Sequence, residues 1–158
     1  MESPADLARR LVAFIRTLGI AVHERDLPVS FLPGMDIGEG GVMVDYARIA
    51  HPGDLLHEAG HVAVAPPEQR AAEKFAPGGG DEMAAIAWSY AAAKIAGLDS
   101  KVLFHDDYKG GGPAIREAFD GGRYFGVPLL DYYGMCVDPR RAAPDGPKPF
   151  PHMLRWVR

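Results

Sequence analysis

The chain contains little cysteine, no excess of positive charge and no long apolar run. Its one cysteine, Cys136, rules out an internal disulfide and a cysteine-rich zinc finger, and it favours a reducing, cytoplasmic setting. Seventeen Lys and Arg against 21 Asp and Glu give a net charge of −4, which argues against a general nucleic-acid binder. The longest stretch without a charged residue, Met83 to Ala93, is far shorter than the roughly 18 residues of a membrane span. We therefore expect a cytoplasmic protein with neither a nucleic-acid nor a membrane partner.

Length and composition favour one turn-rich domain over residues 1–158. A chain of 158 residues is short for two independent cores, yet it can bury enough surface to fold without a disulfide or a structural metal. Its 19 glycines and 14 prolines make up about a fifth of the chain, against roughly 12% in average usage, and argue against a plain helical bundle. Residues 137–158 are proline-rich and predict an extended C-terminal strap. We expect this strap to cover the domain's own surface, although a homo-oligomer partner or the active cleft stays open.

The first third of the chain predicts a helix followed by short strands. Apolar residues recur at helical spacing over Pro4 to Leu18, with Ser3 as a suitable cap, so this segment predicts an amphipathic helix. The next segments are short, β-branched or aromatic, and separated by turn residues. They predict a small antiparallel sheet of two or three strands: Ile20 to Arg25, Pro28 to Leu32 and Gly41 to Tyr46.

The remainder predicts helices packed on that sheet, hence an α+β fold. The segment His51 to Ala65 predicts a helix that Asp54, or a residue just before it, caps and that Pro66-Pro67 ends. A second, Ala-rich helix follows Asp81 as its cap and stops at Gly97; because it is apolar nearly all round, it should be buried. Farther along we expect one helix near Ala114 to Phe119 and a loop-rich region up to Met135.

The strongest functional signal is His57-Glu58-Ala59-Gly60-His61, an H-E-x-x-H motif on the predicted helix. Residues four apart on an α-helix lie about 40° apart around its axis, so both imidazoles project from one face and can reach one tetrahedral ion. Glu58 lies about 100° around the helix axis from His57. This position suits a general base that holds a water molecule, and it suits a metal ligand less well. The motif therefore predicts His57 and His61 as metal ligands and Glu58 as the catalytic residue. The alternative is a pair of surface histidines beside a solvated glutamate.

A catalytic zinc site normally has three protein ligands, so a third ligand is needed. We select Glu82, at the start of the Ala-rich helix, because a carboxylate that leads a buried helix needs a partner. The Ala and Gly content of both helices permits a close approach, and the Gly-rich turn at Pro77 to Gly80 can bring the chain back. Asp81 is the nearest rival ligand. Without a metal, Glu82 is a helix-start carboxylate favoured by the helix dipole.

His57-Glu58-x-x-His61 followed by Glu82 on a second helix resembles the zincin metallopeptidases, and among them the gluzincins. The small size and the strands before the zinc helix resemble the minimal members of that group, over roughly residues 40–97. The resemblance implies a zincin-like fold and one Zn²⁺ held by His57, His61 and Glu82, with Glu58 as general base. The chain departs from the larger enzymes where Asp81 replaces an Asn and where Ala85 and Ile86 replace an Asp, so the usual polar support of the histidines is missing at these positions.

A donor other than the metal should stabilise the transition state, because charge develops on the substrate oxygen. The candidates are Tyr90, Tyr108, Tyr124 and His105, and their spacing does not choose among them. Each also suits a simple packing role.

These features predict a metal-dependent hydrolase, specifically a zinc metallopeptidase that acts on a peptide or protein substrate. The strand Gly41 to Tyr46 is the predicted sheet edge for an extended peptide. One alternative is a mononuclear non-haem iron oxygenase or hydroxylase with Fe²⁺ on the same ligands, since the chain also has a weaker similarity to the elongation factor P hydroxylases. The other is a non-catalytic metal-binding module with a closed, four-ligand site.

Overall fold

The computed structural model of the chain describes residues 1–72 and 79–158 and has an α+β architecture. Its described part contains seven α-helices, one 3-10 turn and a three-stranded mixed sheet. The first part of the predicted Gly-rich turn, residues 77–78, lies outside the described residues. The elements in chain order are α1 (Pro4–Thr17), β1 (Ala21–Glu24), β2 (Met35–Gly38), β3 (Gly41–Val44), α2 (Asp54–Val64), α3 (Pro67–Arg70), α4 (Gly79–Ala96), α5 (Ser100–Leu103), α6 (Gly112–Asp120) and α7 (Val127–Tyr132).

The sheet is mixed, so the prediction of an antiparallel sheet is wrong. Its strand order is β1-β3-β2, with β1 parallel and β2 antiparallel to β3. The tight turn at Glu39 and Gly40, both with positive φ, forces β2 and β3 antiparallel, whereas the longer connection from β1 crosses to the far side of β3. The predicted edge strand, Gly41 to Tyr46, therefore contains the central strand β3, and β1 and β2 are the edges.

The second predicted strand, Pro28 to Leu32, is a loop apart from one isolated bridge between Leu32 and Met35. The Asp45 carboxylate accepts a hydrogen bond from the Leu27 backbone N–H at 2.9 Å, and this bond holds the start of the loop against the end of β3. The true second strand begins at Met35, where the sequence offers only a four-residue apolar alternation. Short patterns of this kind are poor strand signals.

The helix predictions are largely confirmed. The Ser3 side chain accepts a hydrogen bond from the Asp6 N–H at 3.1 Å, and α1 buries one face. Of the two predicted caps of α2, the residue just before Asp54 is the one found: Gly53 is the N-cap residue, and it makes no side-chain cap bond. Asp81 does not cap α4, since that helix begins at Gly79. The region before Met135, which was predicted to be loop-rich, contains helix α7. The residue that precedes this helix, Gly126, has a left-handed backbone conformation.

The core is built around α2 and α4, which pack closely at the H-E-x-x-H motif. A Cβ added to Gly60 would lie 2.8 Å from the Ala85 carbonyl oxygen and 3.3 Å from Cε3 of Trp88. Since real Cβ atoms do not approach a backbone oxygen this closely, only glycine fits there. All of α4 from Ala84 to Ala93 is buried, as its apolar composition predicts.

The tail from residue 137 contacts both of these helices. The Trp156 carbonyl accepts a hydrogen bond from Trp88 Nε1 at 3.0 Å, and the two indole rings meet edge to face. Near the end of the chain the Arg158 N–H donates to the Ala63 carbonyl of α2 at 2.9 Å. The tail thus packs against the outside of the helix pair. Within the described residues, none of the helices combines the length and apolarity needed to cross a bilayer.

Replacing Gly60 by alanine should destabilise the protein. Overpacking a core typically costs about 1–3 kcal/mol, and we expect it to outweigh the roughly 1 kcal/mol that alanine gains over glycine in a helix, because the clash is with backbone. Chemical denaturation measures the change. Gly146→Ala is the control, because a Cβ there has 3.4 Å or more to its neighbours; equal stability of Gly60→Ala and the wild type would contradict the close contact.

Candidate metal centre

Helix α2 places His57 and His61 on one face, one turn apart. Their Nε2 atoms lie 3.1 Å from each other, and the two residues are only 7% and 5% exposed. The residues between them, Ala59 and Gly60, are buried too, and both imidazoles line a cleft. Two imidazole nitrogens are therefore held together at the bottom of a cleft.

Helix α4 brings Glu82 onto the same point. Its Oε1 lies 3.1 Å from His57 Nε2, and its Oε2 lies 2.8 Å from His61 Nε2. These hydrogen bonds from the two histidines hold the pKa of the Glu82 carboxyl far below its usual value. The rival carboxylate, Asp81, instead accepts a hydrogen bond from the Tyr133 hydroxyl at 3.3 Å. Glu82 therefore lies where the sequence argument expected the third ligand.

The three side chains suit a divalent transition-metal ion. Bonds of about 2.0–2.1 Å to nitrogen or oxygen in a tetrahedral site put neighbouring ligand atoms about 3.3 Å apart. The separations of 2.8–3.1 Å among the three groups are close to that spacing. Two imidazoles with one carboxylate match both the open site of catalytic zinc and the facial triad of non-haem iron. The donor set is thus a good metal site that does not select between these metals.

Glu58 lies beside this centre, on the wall of the same cleft. Burial raises the pKa of its carboxyl above the ordinary value, and the nearby charges of His57 and His61 oppose the rise. A carboxylate with a raised pKa is better suited to accept and release a proton near neutral pH than an ordinary one. Its position is consistent with the base role that the motif predicts.

The cleft above the centre has a volume of about 760 Å³. One wall is formed by Asp36 and Ile37 of the edge strand β2. Another is formed by the loop after α5, through His105, Asp107, Tyr108 and Lys109. A space of this size accepts several residues of an extended peptide or a comparable small molecule. The metal-ligand candidates therefore face a substrate-sized space.

The candidates for transition-state stabilisation fall into two groups. His105 and Tyr108 line the cleft, whereas Tyr90 and Tyr124 are not among the described residues that line it. The Tyr90 hydroxyl donates to Asp120 at 3.2 Å, and its ring packs in an aromatic cluster with Phe119 and Tyr124. Tyr90 is therefore a core residue, and the partly buried Tyr124 packs against the core.

His105 is oriented by a partner that the sequence analysis did not connect with it. Its Nε2 lies 2.9 Å from Oδ1 of Asp54, a buried carboxylate in the first turn of α2. Asp54, one of the two alternatives expected to cap α2, thus holds an imidazole at the cleft wall. Because the two residues are 51 positions apart, no local pattern could have paired them.

A second group of possible metal-binding side chains, His51, His105 and Asp107, lies at the same wall. The two imidazole rings are stacked, with centroids 3.7 Å apart and planes inclined by 6°. A nitrogen lone pair lies in the plane of its ring, so two parallel rings cannot both direct a lone pair at one ion. We therefore interpret His51 as a packing support for His105, not as part of a second metal centre.

Comparison of the chain with protein-family models, with curated proteins and with solved structures found no match. The site is therefore interpreted from its own geometry.

The geometry predicts one metal ion per chain, lost when any of the three ligands is removed. Loss of a hydrogen bond that supports a ligating side chain typically weakens metal affinity roughly 10–100-fold. We expect a larger loss of zinc affinity from each of the ligand variants His57→Ala, His61→Ala and Glu82→Gln. Titration against a competing chelator measures affinity, and elemental analysis of protein purified without added metal distinguishes zinc from iron. The exposed His152 provides the control variant His152→Ala. Unchanged affinity in the three ligand variants would rule out this centre.

Proposed function

We propose that the protein is a metal-dependent hydrolase, and specifically a zinc peptidase. The observation that supports this most is the convergence of His57, His61 and Glu82 at the base of a cleft that Glu58 also lines. Three protein ligands leave a coordination position for a water or a substrate atom, which is the arrangement of catalytic rather than structural zinc.

The side chains around the centre have separate tasks. Zinc held by His57, His61 and Glu82 would supply Lewis-acid polarisation of a carbonyl and lower the pKa of water. Glu58 takes the proton from the attacking water on its carboxylate and passes it to the leaving amine. His105 is held by Asp54 through Nε2, which fixes its ring at the cleft wall beside the centre.

The edge strand β2 gives an extended substrate a place to bind. It pairs only with β3 among the described strands, and its residues Asp36 and Ile37 line the cleft. The unpaired backbone groups of an edge strand can add a further strand, with side-chain pockets providing selectivity. This assigns to β2 the role that the sequence analysis gave to Gly41 to Tyr46.

The charges of the cleft favour a substrate with a positive group. Lys109 is the one Lys or Arg among the described residues that line it, and its Nζ lies 5.1 Å above the Phe31 ring. The carboxylates on the lining are more numerous: Asp36, Asp54, Glu58, Glu82 and Asp107. Even with a divalent ion bound, carboxylates remain in excess, so a Lys or Arg side chain near the scissile bond is attracted.

A second candidate function is an iron-dependent oxygenase, favoured by the two-histidine, one-carboxylate donor set. It requires Fe²⁺ in the purified protein and consumption of oxygen, whereas hydrolysis requires neither. Glu58 distinguishes the two further, because an oxygenase does not need a proton acceptor for an attacking water. We prefer the hydrolase because Glu58 is present on the cleft wall.

Glu58→Gln should retain the metal and lose hydrolysis. Glutamine keeps the size of the side chain but cannot accept the proton, and general-base catalysis contributes about 10²–10⁴-fold in rate. The measurement pairs cleavage of a fluorogenic peptide mixture with the zinc content of the same sample. Glu68→Gln removes an exposed carboxylate from α3 and should change neither quantity. Wild-type rates in a zinc-loaded Glu58→Gln would refute the assigned role.

Peptides with Lys or Arg beside the scissile bond should have a higher kcat/KM than otherwise identical peptides with Glu. A partly exposed ion pair contributes about 0.2–1 kcal/mol, so we expect a preference of up to about fivefold per pair. The preference should decrease in high salt, because salt screens exposed charges.

Asp36→Asn should reduce this ratio, since Asp36 belongs to the substrate-binding edge strand. Asp145→Asn removes the same charge from the exposed tail and should leave the ratio unchanged. Equal rates for basic and acidic peptides would refute the charge preference, while hydrolysis itself would still support the proposed function.

A further inference from the structure

The two histidines of the centre differ in what holds the far side of each ring. His57 Nδ1 lies 2.7 Å from the Tyr108 hydroxyl oxygen. His61 Nδ1 is buried and has no hydrogen-bond partner in the described part of the chain. The Nδ1 side of His57 is therefore held by a specific polar contact, whereas the Nδ1 side of His61 has none among the described residues.

Tyr108 is itself rigidly placed. It is buried, its ring meets His57 edge to face at 5.5 Å, and Phe104 contacts it at 5.3 Å. Its backbone N–H donates to the His105 carbonyl at 2.9 Å. A tyrosine hydroxyl can both donate and accept, so the Tyr108 oxygen can take either part in the contact with His57.

A hydroxyl group can serve His57 in two protonation arrangements. When the Nε2 lone pair faces a metal ion, Nδ1 carries the proton and donates to the Tyr108 oxygen. When Nε2 instead donates to Glu82 Oε1, at 3.1 Å, the Nδ1 of a neutral ring is an acceptor and the Tyr108 O–H donates to it. A carboxylate or a backbone carbonyl can only accept, and so it would support the first arrangement alone.

We propose that Tyr108 is the positioning residue of the metal centre, which holds His57 in its ligating orientation through either tautomer of the ring. This inference rests on the proposed metal site. In the larger gluzincins, polar side chains are expected to support the ligating histidines. At the corresponding positions this chain has Asp81, Ala85 and Ile86, and Tyr108 would provide the support instead. Tyr108, one of the candidates for transition-state stabilisation, thereby acts through His57 and not on the substrate.

Tyr108→Phe tests the proposal, because it removes the hydroxyl and retains the packed ring. Loss of an outer hydrogen bond to a ligating histidine should weaken zinc affinity about 10–100-fold, measured by competition with a chelator. Tyr46→Phe is the matched control, since the Tyr46 hydroxyl donates to Glu24 at 2.7 Å at the β1 side of the sheet. It removes a comparable hydrogen bond away from the centre and should leave zinc affinity within about twofold of the wild type.

Nitrogen-15 NMR of the histidine rings provides a second readout, and the wild-type part of it does not depend on the folding of a variant. In the zinc-loaded wild type, His57 should bind through Nε2 and carry a slowly exchanging proton on Nδ1. In Tyr108→Phe this proton should exchange faster, while the ring signals of the distant His152 should not change. Binding of zinc through His57 Nδ1, or equal zinc affinity of Tyr108→Phe and the wild type, would overturn the assignment of Tyr108. If the wild type itself binds no zinc, the proposed metal centre fails instead, so the two failures are distinguishable.

Discussion

The close contact between α2 and α4 is the constraint on which the rest of the site depends. Gly60 fits under the Ala85 carbonyl with no room for a Cβ, and this brings the start of α4 beside the histidine face of α2. Glu82 then reaches both imidazoles within 2.8–3.1 Å. A larger residue at position 60 would separate the helices and increase those distances. The same packing contact therefore stabilises the core and brings together the three side chains of the candidate metal centre.

The polar groups placed in this core are arranged in pairs, as their burial requires. An isolated buried charge is costly, so an ionised side chain inside a protein needs a partner or a metal. Asp54 has His105 and His57 has the Tyr108 hydroxyl, while the half-exposed Glu82 has the two histidines. Two buried ring nitrogens, His61 Nδ1 and His105 Nδ1, are exceptions within the described residues. Such pairing fixes the side chains of the candidate metal centre and of the cleft wall.

The helical part of the fold could be predicted from the sequence, whereas the sheet was predicted incorrectly. The spacing of apolar residues in α1 and the uniform apolarity of α4 are local signals that depend on residues a few positions apart, and both helices are found. Whether two strands run parallel or antiparallel depends on which strands are neighbours in the sheet. The residues that connect β1 to β2 do not indicate that β1 pairs with β3. Pro28 to Leu32 has the composition of a strand, but the bond from Leu27 to Asp45 holds it as a loop.

The sequence alone determined that His57 and His61 share a face, because the geometry of one helix turn dictates it, and it also indicated Glu82 from the cost of a carboxylate that leads a buried helix. Tertiary structure decided what supports these groups: Tyr108 behind His57, Asp54 behind His105, and β2 rather than β3 at the cleft. Both hydrogen-bonded pairs join residues 51 positions apart. Contacts over such separations depend on how whole elements pack, and periodicity within a short segment carries no record of that packing.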